Sequence, residues 1–208
     1  TLKGSDTKFR DFWNVEKYEL TVEPKFEDKS VSGKNTIFFH ITKDVENPTF
    51  QLDLQKPMNS KNFMGNFNYT QVKTEDDFIF IETQQSFKKG ERFYMILEYF
   101  GNPRIAKHAP WDGGWVFAKD EQGNPWISVA QEGDGTSLWL PSKDIWNDEP
   151  DEGIEMKIIT PLNLTGVGNG KLISQTVEKG KNIFTWEVKN PINLYSIVPT
   201  IGKFEHFS

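Results

Sequence analysis

The alternation of apolar and polar residues at a period of two is the feature that most restricts how this chain can fold. Residues 18–22, Tyr-Glu-Leu-Thr-Val, place apolar and polar side chains on opposite faces. Such alternation is typical of half-buried β-strands, and no stretch shows the 3.6-residue period of a helix over a helical length. The same pattern marks residues 31–42, 50–54, 78–81, 93–99, 154–160, 171–178 and 182–189. The sequence therefore predicts an all-β fold, either a sandwich or a barrel.

Three further stretches have a less regular pattern. Residues 59–71 are rich in Asn and predict a weaker strand pair or a loop. Residues 162–167 predict a short strand, and residues 193–201 predict a last apolar strand. The 208 residues suffice for one large β domain. Apolar residues make up only 36%, but aromatics make up 14%, so large rings are expected to supply much of the core.

The overall charge and the amino-acid composition exclude several classes of function. The net charge is −6 and the Lys and Arg residues are scattered, so a nucleic-acid partner is not expected. The chain has no cysteine, which excludes thiol catalysis, disulfides and cysteine-based zinc sites. No run approaches the roughly 18 apolar residues of a membrane-spanning helix. No Gly-x-Ser-x-Gly motif of a serine nucleophile is present.

The sequence contains no recognisable metal site. His40, His108 and His206 are far apart, and the His-Glu-x-x-His signature of zinc proteases is absent. Calcium binding by the Asp-Gly turns at Asp112 and Asp134, or by the acids at 148–152, is an open alternative, although the regular spacing of a calcium loop is missing. Paired carboxylates for glycoside hydrolysis are a second alternative, with Glu132 and Asp134 as the first candidates.

Residues 110–152 differ from the rest of the chain because they concentrate tryptophans, glycines and acids. Residues 115–117 and 126–129 predict a hairpin of two strands with its turn at 120–124. Glu132 follows this hairpin, where a carboxylate can accept hydrogen bonds from an ammonium group or can be an ordinary surface residue. The tryptophans either form a platform for sugar rings or anchor the core. Those in this segment are Trp111, Trp115, Trp126, Trp139 and Trp146.

Several motifs resemble the N-terminal β domain of the gluzincin zinc aminopeptidases, the family of aminopeptidase N and leukotriene A hydrolase. Residues 12–22, 31–37 and 87–99 are similar to three of its strands, so that the resemblance covers nearly the whole chain. Residues 132–144, Glu-Gly-Asp-Gly-Thr-Ser-Leu-Trp-Leu-Pro-Ser-Lys-Asp, with Asp-Glu-Pro at 148–150, look most similar to the bacterial branch.

The most specific part of the resemblance is a spacing: Pro141 lies nine residues after Glu132, and Asp144 lies three residues after Pro141, as in the family. The chain departs from the family pattern at Ala130, where many relatives have Gln, and at Ser137, where many have Arg.

The resemblance implies a twisted, saddle-like, multi-stranded antiparallel β-sandwich. Residues 1–208 would be a single N-terminal domain, and the catalytic domain with its zinc ion would follow as the partner. Glu132 would then bind the α-amino group at the N-terminus of a peptide substrate, with Gln131 and Gly133 as secondary binding residues. The domain alone would lack peptidase activity. The alternative function is a stand-alone carbohydrate- or protein-binding β-sandwich module.

Overall fold

The period-two runs fold as β-strands in the computed structural model, which describes residues 2–205. His206, one of the three histidines considered for a metal site, lies outside these residues. Within residues 2–205 the regular elements are sixteen strands and two short 3-10 helices, at Thr136–Leu138 and Leu194–Ser196. The strands are β1 (Trp13–Lys25), β2 (Ser30–Ile41), β3 (Val45–Glu46), β4 (Thr49–Asp53), β5 (Asn59–Gly65), β6 (Tyr69–Glu75), β7 (Phe78–Thr83), β8 (Ser86–Phe87), β9 (Arg92–Gly101), β10 (Gly114–Lys119), β11 (Pro125–Ala130), β12 (Ile154–Pro161), β13 (Thr165–Val167), β14 (Lys171–Glu178), β15 (Lys181–Val188) and β16 (Thr200–Gly202).

The largest sheet has seven strands in the order β14-β15-β12-β1-β2-β9-β5. Its centre is the long β1–β2 hairpin, in which Tyr18 pairs with Ile37 and Val22 with Gly33. All neighbours in this sheet are antiparallel except β1 and β12, which run parallel. The predicted all-β, multi-stranded and largely antiparallel architecture is confirmed, with this one parallel pair as the exception.

Three smaller sheets complete the fold. Their strand orders are β10-β11-β16-β13, β4-β7-β6 and β3-β8. Aromatic rings make up much of the core, as the composition predicted. Phe39 packs edge-on against Phe50 at a ring-centroid distance of 5.4 Å, and Phe50 packs against Phe87 at 5.5 Å. Such edge-to-face contacts add to the free energy gained by burying the rings.

Two of the irregular stretches are now defined. Residues 59–71 supply β5 and the start of β6, and the β5–β9 register shifts between Lys61 and Met64. The prediction of one continuous strand at 193–201 is wrong, because this stretch holds a 3-10 helix and only the beginning of β16. Pro199 explains part of this division, since proline cannot donate a ladder hydrogen bond. None of the helices found between residues 2 and 205 is long and apolar enough to span a membrane.

Candidate functional site

The tryptophans of residues 110–152 divide into buried and exposed rings. Trp115 and Trp139 are fully buried and meet at a ring-centroid distance of 5.6 Å in a perpendicular arrangement. Trp111 and Trp146 are 89% and 83% exposed, and Trp126 is 37% exposed. A platform of all five tryptophans is therefore wrong, because two of the rings belong to the core.

The predicted hairpin in this segment is confirmed as β10 and β11, with Trp115 opposite Val129. Immediately after β11, the N–H groups of Asp134 and Gly135 donate to the carbonyl of Gln131 over 3.2 and 2.8 Å. These two bonds close a tight turn that carries Glu132 and Gly133. The hairpin thus places the candidate residues Gln131, Glu132 and Gly133 at the end of the four-stranded sheet.

Gln131 holds this turn in place through its side-chain amide. Its Nε2 donates to the carbonyls of Ile197 (2.7 Å) and Tyr195 (3.1 Å), and its Oε1 accepts from the indole Nε1 of Trp139 (2.8 Å). The residue is 3% exposed. Gln131 therefore ties the turn to the 3-10 helix at Leu194–Ser196, and its amide faces the interior rather than the solvent.

Asp134 stabilises the other side of the turn. Its carboxylate accepts the N–H of Gly113 over 3.0 Å and pairs with the guanidinium of Arg104 at 2.9 Å. A Cβ atom at Gly113 would lie 2.0 Å from the Asp134 Oδ2, so a side chain there would displace this contact. Because Asp134 is already paired, it does not support the interpretation of Glu132 and Asp134 as two free catalytic carboxylates.

Asp144 stabilises the 3-10 helix at Thr136–Leu138, which directly follows the turn. Its Oδ2 accepts the backbone N–H of Ser137 over 3.0 Å. Gly135 lies directly beneath this carboxylate with φ at 86°, and a Cβ atom added to it would lie 2.2 Å from the same oxygen. Glycine is therefore required at position 135 both for its backbone conformation and for the approach of Asp144.

Asp148 belongs to a buried ion pair. Its carboxylate accepts from the Nζ of Lys143 and, over 3.1 Å, from the N–H of Val15. The Lys143 ammonium also lies 4.6 Å from the centroid of the Trp13 ring. Burial raises the pKa of Asp148 and lowers the pKa of Lys143. This pair joins residues 143–148 to the start of β1.

Glu132 differs from these residues, because its side chain points outward. It is exposed, and its carboxylate has no hydrogen-bond or ion-pair partner among residues 2–205. It lines an open depression together with Gly133, and a Cβ atom added to Gly133 would meet no atom within 4 Å. The other side chains around the depression include those of Lys3, Asp144, Trp146, Asp148, Glu149 and Tyr195.

Two of these neighbours were not among the predicted site residues. Trp146, considered above only for a sugar-binding platform or for packing, has an exposed ring and lines the same depression as Glu132. Tyr195 comes from a 3-10 helix 63 positions later in the chain, and no sequence pattern connects it to Glu132. The three predicted residues do lie together, but Gln131 faces the interior while Glu132 and Gly133 face the depression.

Residues 2–205 contain no cluster of three or more side chains suited to holding a metal ion. Asp112, one of the calcium candidates, instead accepts the N–H groups of Lys107 and His108, both over 2.7 Å. These hydrogen bonds, that from Lys107 first, lower the pKa of Asp112. The Asp112 carboxylate thus stabilises the loop at residues 107–112, to which it belongs.

Comparisons with known proteins agree with this architecture at the level of the fold. No family model matches the chain, and no curated protein matches it. Among solved structures, an M1 zinc metallopeptidase from Deinococcus radiodurans matches with a TM-score of 0.77 and 19% sequence identity, covering 94% of this chain and 43% of that one. The chain has the fold of one part of an M1 zinc metallopeptidase.

A point mutant of the Deinococcus M1 enzyme bound to a Tyr-Ser-Ala substrate matches with a TM-score of 0.76 and 19% identity, covering 93% of this chain and 43% of that one. A two-domain M1 enzyme mutant bound to L-arginine matches with a TM-score of 0.76 and 20% identity, covering 92% and 42%. The chain thus spans less than half the length of these M1 structures. The resemblance to zinc aminopeptidases is confirmed for the fold.

Proposed function

We propose that this chain is the N-terminal β domain of a zinc-dependent aminopeptidase, in which it supplies one wall of the substrate cleft. Glu132 binds the free α-ammonium group of a peptide. The observation that supports this role is the exposed carboxylate of Glu132, which has no partner within residues 2–205. A turn whose neighbouring polar side chains are already paired holds it at the edge of a depression. Remote binding of this kind orients the peptide bond that is to be cleaved.

The charges around the depression favour a cation. Glu132, Asp144 and Glu149 contribute three carboxylates to its lining and Lys3 contributes one ammonium group, whereas the charge of Asp148 is offset by Lys143. An ammonium group can donate three hydrogen bonds, and an aromatic face within about 6 Å adds a cation–π attraction. The exposed ring of Trp146 is available for this contact beside Glu132.

The ligands of the structurally similar enzymes have a chemical group in common. Those enzymes were solved with Tyr-Ser-Ala, with L-tryptophan and with L-arginine. Each of these molecules carries a free α-amino group, and we infer that the present chain serves a substrate of the same class. Gln131 then acts as a positioning residue, since its amide is occupied by the carbonyls of Tyr195 and Ile197. Gly133 leaves space beside the carboxylate.

The zinc ion of the proposed enzyme is not assigned to these residues, because residues 2–205 hold no suitable ligand set. In this proposal the zinc ion and the general base come from a C-terminal catalytic domain, which is the main partner of the β domain. The chemical step is therefore carried out elsewhere, and the contribution of this chain is to bind and orient the amino end of the peptide.

The test is a titration of the 208-residue chain with Tyr-Ser-Ala and with N-acetyl-Tyr-Ser-Ala, followed by NMR chemical shifts. We expect the free peptide to shift the signals of residues 131–135 and the acetylated peptide to leave them in place. Glu132→Gln should weaken binding about 1.4- to 5-fold, since an exposed ion pair contributes about 0.2–1 kcal/mol. Glu121→Gln, in the exposed turn between β10 and β11, is the matched control. Equal binding of the two peptides would contradict the role of Glu132.

In an intact enzyme that contains this domain, Glu132→Ala should raise KM and lower kcat for peptides with a free amino end. Acetylated peptides, which lack the ammonium group, should show no such difference between wild type and variant. An unchanged kcat/KM for free-amine peptides would contradict the assignment.

A stand-alone carbohydrate-binding module is the alternative outcome. It receives less support, because the burial of Trp115 and Trp139 removes two rings from the expected platform. Glycan-array binding by the chain, without a response to free-amine peptides, would favour it over the aminopeptidase domain.

A further inference from the structure

Strand β14 forms one edge of the seven-stranded sheet and is exposed along its whole length. Among residues 2–205 it pairs only with β15, and all eight of its residues are exposed. An open edge of this kind presents unpaired N–H and C=O groups that can pair with another strand. Natural edge strands are often protected by proline, by charged side chains, by a β-bulge or by a covering helix or loop.

Of these features, β14 has a bulge at Ile173 but lacks proline, an internal charge and, among residues 2–205, a covering element. It reads Lys-Leu-Ile-Ser-Gln-Thr-Val-Glu, with no proline and with charges only at its two ends, Lys171 and Glu178. Between them, Leu172, Ile173 and Val177 are 40%, 45% and 62% exposed. Opposite charges at the two ends of a strand make it complementary to a second copy of itself in the antiparallel direction.

The turn at the end of β14 indicates which backbone groups face outward. Lys179 and Gly180 form a two-residue turn with φ angles of 49° and 75°. Residues that flank such a turn form a hydrogen-bonded pair, so Glu178 directs its N–H and C=O toward Lys181. The direction alternates along the strand, and Val177 and Gln175 therefore direct theirs toward the open edge.

A bulge in β14 makes the two ends of the strand equally distant from its centre. The register shifts between Leu172 and Ser174, so Ile173 is the extra residue. Measured along β15, Glu178 lies opposite Lys181, Gln175 opposite Phe184 and Lys171 opposite Glu187. Phe184 is the midpoint between Lys181 and Glu187. Gln175 is therefore the geometric centre of β14, with three pairing steps on either side, and Leu172 also directs its backbone groups outward.

From this geometry we propose that β14 is a dimerisation edge, at which two copies of the chain pair antiparallel about a two-fold axis through Gln175. In this register Lys171 faces the partner's Glu178, and Leu172 faces the partner's Val177. Each contact occurs twice, as in any two-fold interface. The seven-stranded sheets of the two copies then join into one continuous sheet.

The interactions across this interface are complementary on both faces of the sheet. On one face lie two Leu172–Val177 pairs around the central Gln175 residues, and on the other lie two Lys171–Glu178 pairs. Cross-strand apolar pairs and opposite-charge pairs are each stabilising, whereas like charges placed directly opposite are destabilising. The dimer is therefore expected to depend on the sign of the charge at each end of β14.

Sedimentation of the 208-residue chain over a range of concentrations tests the dimer. We expect Lys171→Glu and Glu178→Lys, each alone, to raise the dissociation constant at least about tenfold, because each places like charges opposite one another twice. The double variant K171E/E178K should restore the wild-type value. Thermal unfolding of each variant controls for changes within its own hairpin. A chain that is monomeric at every concentration overturns the proposal, as does a double variant that folds normally and does not dimerise.

Cysteine cross-linking tests the register, and the chain is suited to it because it contains no cysteine. In the proposed dimer the two copies of position 175 have Cα atoms about 5.5 Å apart, within disulfide range. The two copies of position 178 are separated by six steps, or about 20 Å.

Gln175→Cys should therefore form a covalent dimer on mild oxidation, and Glu178→Cys alone should not. A mixture of Lys171→Cys and Glu178→Cys chains should form a covalent heterodimer. Rapid cross-linking of Glu178→Cys alone, or none for Gln175→Cys in a chain that sediments as a dimer, would overturn the register.

Discussion

Glu132 and Asp148 line the same depression but have opposite surroundings. Asp148 is 4% exposed and is held by the Lys143 ammonium and the N–H of Val15, whereas Glu132 is exposed and has no partner within residues 2–205. A buried charge must be paired because its desolvation costs several kcal/mol, while an exposed charge remains free to meet a ligand. Burial therefore separates the structural carboxylate from the candidate binding carboxylate.

The largest effect is expected for Asp148→Ala. This change leaves the buried Lys143 ammonium without its partner and should cost about 3–5 kcal/mol of unfolding free energy, measured by urea denaturation. Asp151→Ala is the matched control, because Asp151 is exposed and, within residues 2–205, its carboxylate accepts only the hydrogen bond from the side chain of Asn14 at 2.9 Å. If both variants lost the same small amount, the Lys143–Asp148 pair would not be a structural element.

Gln131→Leu should have the next largest effect on stability. This effect would distinguish the buried Gln131 from the exposed Glu132 next to it in the chain. It leaves the indole N–H of Trp139 and the carbonyls of Tyr195 and Ile197 without their partner. The expected loss is about 1–3 kcal/mol of unfolding free energy, together with a change in tryptophan fluorescence. A variant within about 0.5 kcal/mol of wild type would show that the turn does not need this amide.

Asp53, a second buried carboxylate, extends the comparison to pH dependence. Its desolvation outweighs the attraction of the Arg10 guanidinium and raises the pKa of Asp53 from 3.8 to about 7. The folded chain then holds more protons than the unfolded chain between these two values, so stability should fall as pH rises.

The fall attributable to Asp53 should be about 1–2 kcal/mol between pH 5.5 and 7.5, measured from urea midpoints. Asp53→Asn cannot ionise, so its stability should change less over this range. The raised pKa of Asp148 acts in the same direction and remains in both proteins, so only the difference between their slopes is informative. Parallel slopes would contradict the assignment to Asp53.

The smallest stability effect is expected for Glu132→Gln. An exposed side chain without a partner should change the unfolding free energy by less than about 0.5 kcal/mol. The same variant should lose affinity for free-amine peptides, which distinguishes a binding residue from a structural one. A large loss of stability would show that Glu132 has a structural partner and would remove the contrast with Asp148.

Much of the strand framework could be predicted from local pattern. The β1–β2 and β10–β11 hairpins follow from period-two alternation and turn residues, because each strand places alternate side chains on opposite faces. Glu132 could be singled out because it follows a predicted strand and precedes Gly133. Residues 193–201 could not be predicted in the same way, since Ile197 and its neighbours bind the Gln131 amide, a partner more than sixty residues away.

The sequence by itself determined the all-β class, the hairpins and the aromatic character of the core, because these depend on spacing and side-chain type along the chain. Only the tertiary structure decided that Trp139 is buried while Trp146 is exposed, and that Asp148 is paired while Glu132 has no partner within residues 2–205. The physical reason is that burial and pairing depend on distant segments. Lys143 reaches back to Trp13, and Tyr195 is brought beside Glu132, through contacts that no local pattern encodes.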